Sequence, residues 1–199
     1  MEKPAVTQYP IHDLLRKRWS PRAFSDRRVE PDRLRSLLEA ARWAPSSNNE
    51  QPWSFIVATK ENEAEHGRLL GCLMEGNVPW AQHAPVLMVS VARKSFEENG
   101  TPNRHAFHDV GQAVADLSVQ ATALGLVVHQ MAGFHPDKVS ELYGIPKEFE
   151  PVAAIALGYP GDPDTLPERY KQRELAPRER KPLTEFVYAG RWGKASPLL

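Results

Sequence analysis

Two clusters of basic residues lie far apart in the sequence, and each has a composition that suits an anion. Residues 18–22, with the sequence RWSPR, contain two guanidinium groups and a hydroxyl. A guanidinium donates paired N–H groups in a geometry that matches a phosphate. In the second cluster, residues 178–182, an extended backbone would point Arg178 and Arg180 the same way, so that they could hold one anion together. Either cluster alone could equally be a solvated basic turn or tail.

Two further segments could contact a flat ring. Residues 45–53, with the sequence PSSNNEQPW, carry hydroxyl and amide groups that can both donate and accept hydrogen bonds at the edge of a heterocycle. Residues 132–134 follow an apolar run, and Gly133 would let a ring approach the backbone and leave an N–H free to donate. The alternatives are an ordinary capped turn and an ordinary end of a strand.

A metal site is a weaker hypothesis. His105, His108 and Asp109 have the i, i+3, i+4 spacing of three ligands near the start of a helix. No cluster nearby supplies a fourth ligand, and the helix dipole would explain Asp109, so we expect no metal. The single cysteine, Cys72, is interpreted as a small buried hydrophobic residue. Motifs of nucleophilic hydrolases, P-loops and zinc proteases are missing from the sequence.

Interspersed helices and strands must position these segments. The patterns predict helices at 11–18, 31–45, 61–74, 108–124 and 136–143, and strands at 53–58, 85–91, 126–131 and 152–157. The 85–91 run is nearly all apolar, which is typical of a buried strand. Such an order of elements indicates one central sheet in an α/β or α+β fold. Residues 97–104 are predicted to be a mobile loop.

Composition narrows the class of protein. The chain has 199 residues, 41% of them hydrophobic, so it can form a core without disulfides. Its 25 basic and 25 acidic residues give no net charge, which argues against a nucleic-acid-binding protein. With neither an apolar run long enough to span a membrane nor an apolar leader, we expect a cytoplasmic protein. Residues 160–199 are rich in proline and basic residues, and we expect them to be extended and to lie on another surface.

Taken in order, five segments resemble motifs of the FMN-dependent nitroreductase family. They are R-x-S-x-R-x-F at 18–24, A-P-S-S-x-N-x-Q-P-W at 44–53, G-L-x-x-x-x-M-x-G-F at 125–134, L-G-Y-P at 157–160 and R-x-R-K-P-L-x-E at 178–185. Each motif alone is weak, but chance matches would not keep both order and spacing. The resemblance covers most of the chain, from about residue 11 to 192.

The resemblance implies an α+β fold with a central, mostly antiparallel β-sheet flanked by helices. It implies a single domain over residues 1–199, in which residues 160–199 form an extended C-terminal arm on the partner subunit. It also implies a homodimer with two FMN sites at the subunit interface, whereas charge balance and the lack of a long apolar run are the reasons to expect neither a nucleic acid nor a membrane as a partner.

The resemblance also implies which residues hold FMN. Those matching the phosphate-binding positions are Arg18, Ser20, Arg178 and Arg180. Trp19 matches a position beside them, and Arg22 one near the pyrimidine edge of the flavin. Residues that reach the cofactor from the other subunit are Pro45, Ser46, Ser47 and Asn49.

The end of the 126–131 strand would lie under the flavin ring. Met131, Ala132 and Gly133 match this position, where the Gly133 N–H would donate to flavin N5. Asn77 matches a ring-contacting asparagine. The sequence departs from some relatives at Ala132, where they have an acidic residue, and at Trp80, where they have a lysine.

The implied activity is that of an FMN oxidoreductase. NADH or NADPH would reduce the flavin, and a nitroaromatic, quinone or similar flat acceptor would then use the same slot in a ping-pong mechanism. No catalytic side chain is expected, because flavin N5 carries the chemistry. The alternatives are a specialised flavoenzyme such as a reductive dehalogenase or metabolite oxidase, a non-catalytic flavin-binding protein, and a purely structural dimer module.

Overall fold

A four-stranded sheet forms the centre of the protein, whose computed structural model describes residues 2–199. Its strands are β1 (Trp53–Thr59), β2 (Val86–Arg93), β3 (Val127–Met131) and β4 (Phe149–Gly158). They are arranged in the order β1-β2-β4-β3, and every neighbouring pair is antiparallel. This arrangement confirms the α+β class with an antiparallel sheet.

Strand β2 lies inside the sheet and is buried on both faces, as its continuous apolar sequence predicts. Side chains of a strand alternate between faces. Leu87 and Val89 pack in one core cluster, and Val86 and Met88 pack in the other. The sheet therefore separates two hydrophobic layers, each covered by helices.

Seven α-helices flank the sheet or connect its strands within residues 2–199. They are α1 (Asp13–Lys17), α2 (Pro31–Arg42), α3 (Glu63–Leu70), α4 (Val78–Ala81), α5 (Ala106–Ala123), α6 (Pro136–Tyr143) and α7 (Glu168–Leu175). The longest, α5, packs against α2 and buries Val110, Val114 and Leu117 of its predicted apolar stripe. It ends before Gly125, whose φ of 73° places it in the left-handed region, as predicted for a C-terminal stop.

The helix predicted over 61–74 ends earlier, at Leu70. Beyond it, Leu73 pairs with Phe134, and the backbone N–H of Met74 donates to the Gly133 carbonyl at 3.0 Å. These groups bond to the chain after β3, which a continued helix would not allow. The next helix, α4, was not predicted because it has only four residues.

Residues 160–199 are not extended throughout, in contrast to the prediction. They contain α7 and two single 3₁₀ turns, Pro163–Thr165 and Leu183–Glu185. Helix α7 buries Tyr170 and Glu174, which lie one turn apart on one face. The sequence of α7, ERYKQREL, is almost entirely polar, so no apolar stripe marks it. Contact of this arm with a partner subunit stays a prediction.

None of the helices within residues 2–199 combines the length and the apolar content that crossing a lipid bilayer requires.

Candidate functional site

The two arginine clusters, from opposite ends of the chain, meet at one open cavity of about 240 Å³. The predicted residues that line it are Arg18, Trp19, Ser20, Arg22, Arg178 and Arg180. Arg18 Nη1 lies 3.4 Å from Ser20 Oγ, so the first guanidinium and the hydroxyl face the same space. The fold thus brings together two clusters that are some 160 residues apart in the sequence.

Three guanidinium groups of this cavity have no carboxylate partner in the part of the chain that the structure describes. Within residues 2–199, no carboxylate oxygen lies within 4 Å of a guanidinium nitrogen of Arg18, Arg178 or Arg180. Burial lowers the pKa of Arg18, and the positive charge of Arg180 lowers it further. Like charges held together in this way are stabilised by an anion between them.

Arg178 is bound mainly to backbone. Its Nη1 donates to the carbonyls of Lys3 at 2.6 Å and Arg16 at 3.1 Å, and its Nη2 donates to the carbonyl of Arg18 at 2.8 Å. These bonds attach the C-terminal arm to the N-terminal segment. Its charge still acts on the cavity, because burial together with the charges of Arg18 and Arg180 lowers the pKa of Arg178.

Lys3 is a further cation of this cavity that the sequence did not reveal. Its Nζ lies 5.1 Å from the centre of the Trp19 ring and donates to the backbone carbonyl of Glu174. Burial is the main cause that lowers its pKa. Lys3 stands alone near the N-terminus, far from either cluster in sequence, so its type and spacing gave no signal.

The L-G-Y-P segment holds the first cluster against the sheet. Phe24 pairs with Pro160, and the N–H of Gly161 donates to the Ala23 carbonyl at 2.9 Å. A Cβ atom added to Gly161 would lie 2.5 Å from the Phe24 carbonyl, so only glycine fits here. The conformation of residues 18–24 is therefore fixed by the chain that leaves β4.

His129 of β3 supports the same segment from below. Its Nδ1 donates to the Pro21 carbonyl at 2.9 Å, and its ring lies 4.5 Å from the ring of Trp80. The guanidinium carbon of Arg22 lies 5.7 Å from the Trp80 ring centre, within cation–π range. Burial lowers the pKa of His129 to about 4, with the charge of Arg22 as the second cause. The imidazole is therefore neutral near pH 7.

The chain after β3 offers a free backbone donor. Met131 ends the strand, Ala132 follows it, and the Gly133 carbonyl accepts from Asn77 Nδ2 at 2.9 Å. A Cβ atom at Gly133 would lie 2.5 Å from that nitrogen. No acceptor within residues 2–199 receives the Gly133 N–H. The backbone can thus be approached closely, and its N–H is available to a ligand.

The predicted loop that follows α2 lies at a different cavity, of about 280 Å³. Its predicted residues there are Pro45, Ser46 and Ser47, beside His105 and His108. Asn49 is exposed and has a φ of 56°. This loop therefore does not meet the arginine cavity within one chain.

Asp109 ties this loop to α5. Its side chain is 2% exposed, and Oδ2 accepts the N–H of Ser47 at 3.0 Å. The helix dipole alone therefore does not account for Asp109, because its carboxylate also holds the loop. In the part of the chain that the structure describes, no group of three or more His, Cys, Asp or Glu side chains could hold a metal ion.

Cys72 is fully buried, which confirms its interpretation as a small hydrophobic residue. Burial raises the pKa of its thiol, so the reactive thiolate is disfavoured.

Comparison with known proteins decides the family. Residues 15–159 match the model of the Nitroreductase family. The chain belongs to the nitroreductase family. The matched region contains the first arginine cluster, the loop after α2 and the end of β3. It ends at Tyr159, inside the L-G-Y-P segment and before the second arginine cluster.

Individual proteins resemble most of the chain. A solved structure described as an oxidoreductase containing FMN is 36% identical, with a TM-score of 0.89, covering 95% of this chain and 96% of that chain. A nitroreductase family protein from Clostridium difficile 630 is 27% identical, with a TM-score of 0.69, covering 89% and 96%. A candidate NADH dehydrogenase/NAD(P)H nitroreductase from Streptomyces coelicolor is 30% identical over 176 residues, 77% of this chain and 86% of the relative.

Proposed function

We propose that this nitroreductase-family protein is an FMN-dependent oxidoreductase that uses NADH or NADPH to reduce nitroaromatic, quinone or similar flat acceptors. The observation that carries the proposal is the meeting of Arg18 and Arg180, without carboxylate partners, at one cavity. The FMN-containing oxidoreductase of known structure supports the choice of cofactor. The name of the Streptomyces coelicolor relative supports the choice of electron donor.

The residues of the cavity fit the phosphate of FMN. A phosphate dianion needs convergent cations and neutral donors, and Arg18, Ser20 and Arg180 offer both. Lys3 and Arg178 add positive charge at the rim. We assign the phosphate to these groups, with Trp19 beside them.

The end of β3 fits a flat ring. Gly133 has a free N–H and no side chain, so its backbone would donate to flavin N5, with Met131 and Ala132 beside it. Arg22 would lie near the pyrimidine edge. Hydride transfer from a nicotinamide to an acceptor, each using the same slot in turn, is the chemistry that FMN supplies when bound.

We further propose that two chains form each site. The residues Pro45, Ser46, Ser47 and Asn49 lie outside the arginine cavity, so a second copy would bring them to the flavin. A groove of about 690 Å³ beside Arg18 and Arg180 is lined by apolar side chains of the N-terminal segment, among them Val6, Tyr9 and Ile11. A partner subunit that covered this groove would bury these exposed side chains.

The first test is spectroscopic. Purified protein supplied with FMN is expected to be yellow and to bleach anaerobically when NADH or NADPH is added. Protein that stays colourless and refuses FMN contradicts the proposal. Bound FMN that does not bleach would indicate a non-catalytic flavin-binding protein, and bleaching without turnover of several quinones would indicate a specialised flavoenzyme.

The second test removes the phosphate contacts. Arg18→Ala combined with Arg180→Ala is expected to release FMN, because each charge-assisted contact contributes roughly 1.5–3 kcal/mol. Flavin fluorescence measures the affinity. Arg35→Ala with Arg42→Ala is the matched control, since both of these arginines are exposed on α2 and paired with carboxylates. Equal affinity in the two double variants would refute the assignment.

A further inference from the structure

One buried carboxylate, that of Glu174, has no role in the chemistry proposed above. Glu174 lies on α7 and is only 1% exposed. Its Oε1 accepts the backbone N–H groups of Arg22 at 3.0 Å and Ala23 at 3.1 Å, and its Oε2 accepts that of Arg22 at 2.9 Å. A carboxylate is costly to bury unless hydrogen bonds compensate for lost water, and these backbone donors provide them.

These hydrogen bonds join the two halves of the arginine cavity. Arg22 and Ala23 belong to the first cluster and its continuation, whereas Glu174 lies near the end of α7, four residues before Arg178 on the arm. Lys3 donates to the backbone carbonyl of Glu174, so the N-terminal segment is attached at the same point. Glu174 therefore holds α7 directly against residues 22–23, and Arg178 fastens the following part of the arm to Arg18.

The charge of Glu174 also matters to the cations around it. The carboxylate acts on Arg22 and on Lys3, raising the pKa of each against the larger effect of burial. Glu174 lines the cavity, but both of its carboxylate oxygens accept backbone N–H groups, so the carboxylate offsets the repulsion between the cations while it is held by the backbone. Glu174 can thus keep the cluster assembled while the cavity remains open to a ligand.

We propose that Glu174 is the positioning residue of the anion site: it fixes the separation of the two arginine clusters so that one phosphate ester meets both. This inference rests on the proposed function. It concerns the phosphate end of the ligand and not the ring.

Glutamine at this position would keep the size of the side chain but lose its charge and one acceptor oxygen. The effect should therefore be specific for the phosphate. We expect Glu174→Gln to weaken FMN binding by about tenfold or more, and to change riboflavin binding by less than about threefold, since riboflavin lacks the phosphate.

The experiment measures the dissociation constants of FMN and riboflavin by flavin fluorescence on the full-length apoprotein. Glu168→Gln is the matched control, because Glu168 is exposed on the same helix and its side chain accepts a hydrogen bond from Gln172. A general loss of stability would weaken both ligands equally. Equal loss for both flavins in Glu174→Gln, or no loss for either, overturns the inference.

Two further measurements keep the result decisive. If Glu174→Gln does not fold, Glu174→Asp is tested in the same way, because its shorter carboxylate keeps the charge and changes the reach. Wild-type protein that refuses FMN contradicts the proposed function, and inorganic phosphate then becomes the probe. In that case phosphate should raise the melting temperature of the wild type and leave that of the variant unchanged, and an equal rise in both rejects the inference.

Discussion

At the scale of single residues, the protonation of His129, which holds residues 18–24 in place, makes the stability of the protein depend on pH. Its imidazole is partly buried beside residues 18–24, and its Nδ1–H donates to the Pro21 carbonyl. Burial lowers its pKa to about 4, and the nearby charge of Arg22 adds to that effect. In the unfolded chain the same side chain has a pKa near its ordinary value of about 6.5. Protons therefore bind the unfolded state first as the pH falls.

This difference predicts the pH dependence of stability. The contribution of neutral His129 to the free energy of unfolding is fully present above about pH 6.5. It is lost progressively as the pH falls toward 4, and the total loss is about 3 kcal/mol. Urea unfolding at pH 7 and pH 5 measures the loss. His129→Gln, which cannot titrate, should flatten the dependence, whereas His83→Gln at an exposed position should not. An unchanged dependence in His129→Gln would contradict this assignment.

At the scale of elements, the end of β3 and the start of α4 are packed too closely for any side chain between them. Asn77 occupies the N-cap position of α4, but its side chain donates to the Gly133 carbonyl, and no room for a Cβ atom remains at Gly133. The same backbone conformation thus leaves the Gly133 N–H free and brings the Asn77 side chain close to Gly133. A change in either element would alter the surface offered to a ring.

Gly133→Ala is therefore expected to destabilise the protein by about 1–3 kcal/mol, because the added methyl group would overlap Asn77. The penalty should be smaller in an Asn77→Ala background, where the obstructing amide is absent. Thermal unfolding of the four proteins of this cycle measures both effects. Gly111→Ala on α5, where nothing lies within 4 Å, serves as the control. A Gly133→Ala variant as stable as the control would disprove the close packing.

Sequence patterns predicted those elements in which burial determines which positions are apolar. Strand β2 and helix α5 have continuous or periodic apolar residues, because they are packed on both sides or along one stripe. Helix α7 gave no such signal, since only two of its side chains are buried and one of these is Glu174. Local periodicity cannot reveal a helix whose packing depends on a carboxylate that binds distant backbone.

The site was predictable only in part, for a similar reason. The arginines and the serine of residues 18–22, and the arginines of residues 178–180, indicate an anion-binding site by residue type alone. Lys3 and Glu174 carry no motif, and their roles arise from contacts with residues distant in sequence. The antiparallel order of the sheet followed from the family resemblance, because the spacing of elements left an α/β fold equally open.

At the scale of the whole molecule, the proposed site needs two copies of the chain. One half contains the arginine cavity and the Gly133 backbone, and the other half contains the loop after α2. Closed two-fold dimers repeat such a site twice. Each half could then be disabled separately, and a mixture of two defective chains would rebuild some intact sites.

Subunit mixing tests this arrangement. One parent carries Arg18→Ala with Arg180→Ala, and the other carries Ser47→Ala with Asn49→Gly, where glycine accepts the positive φ. After random reassociation, about a quarter of the sites should be intact, because half of the dimers are hybrid and each hybrid has one complete site. FMN titration counts them. Mixtures that bind no more FMN than the average of their parents would show that the halves do not meet across subunits.

The bonds from Arg178 to Lys3, Arg16 and Arg18 have a consequence for biosynthesis. The ribosome releases the N-terminal segment long before it adds the residue that fastens it, so the arginine cavity cannot assemble on a nascent chain that stops before position 178. Domains are made from the N-terminus at about 5–20 residues per second, which leaves this segment unfastened for many seconds. Loading with FMN would then be a late event that follows translation.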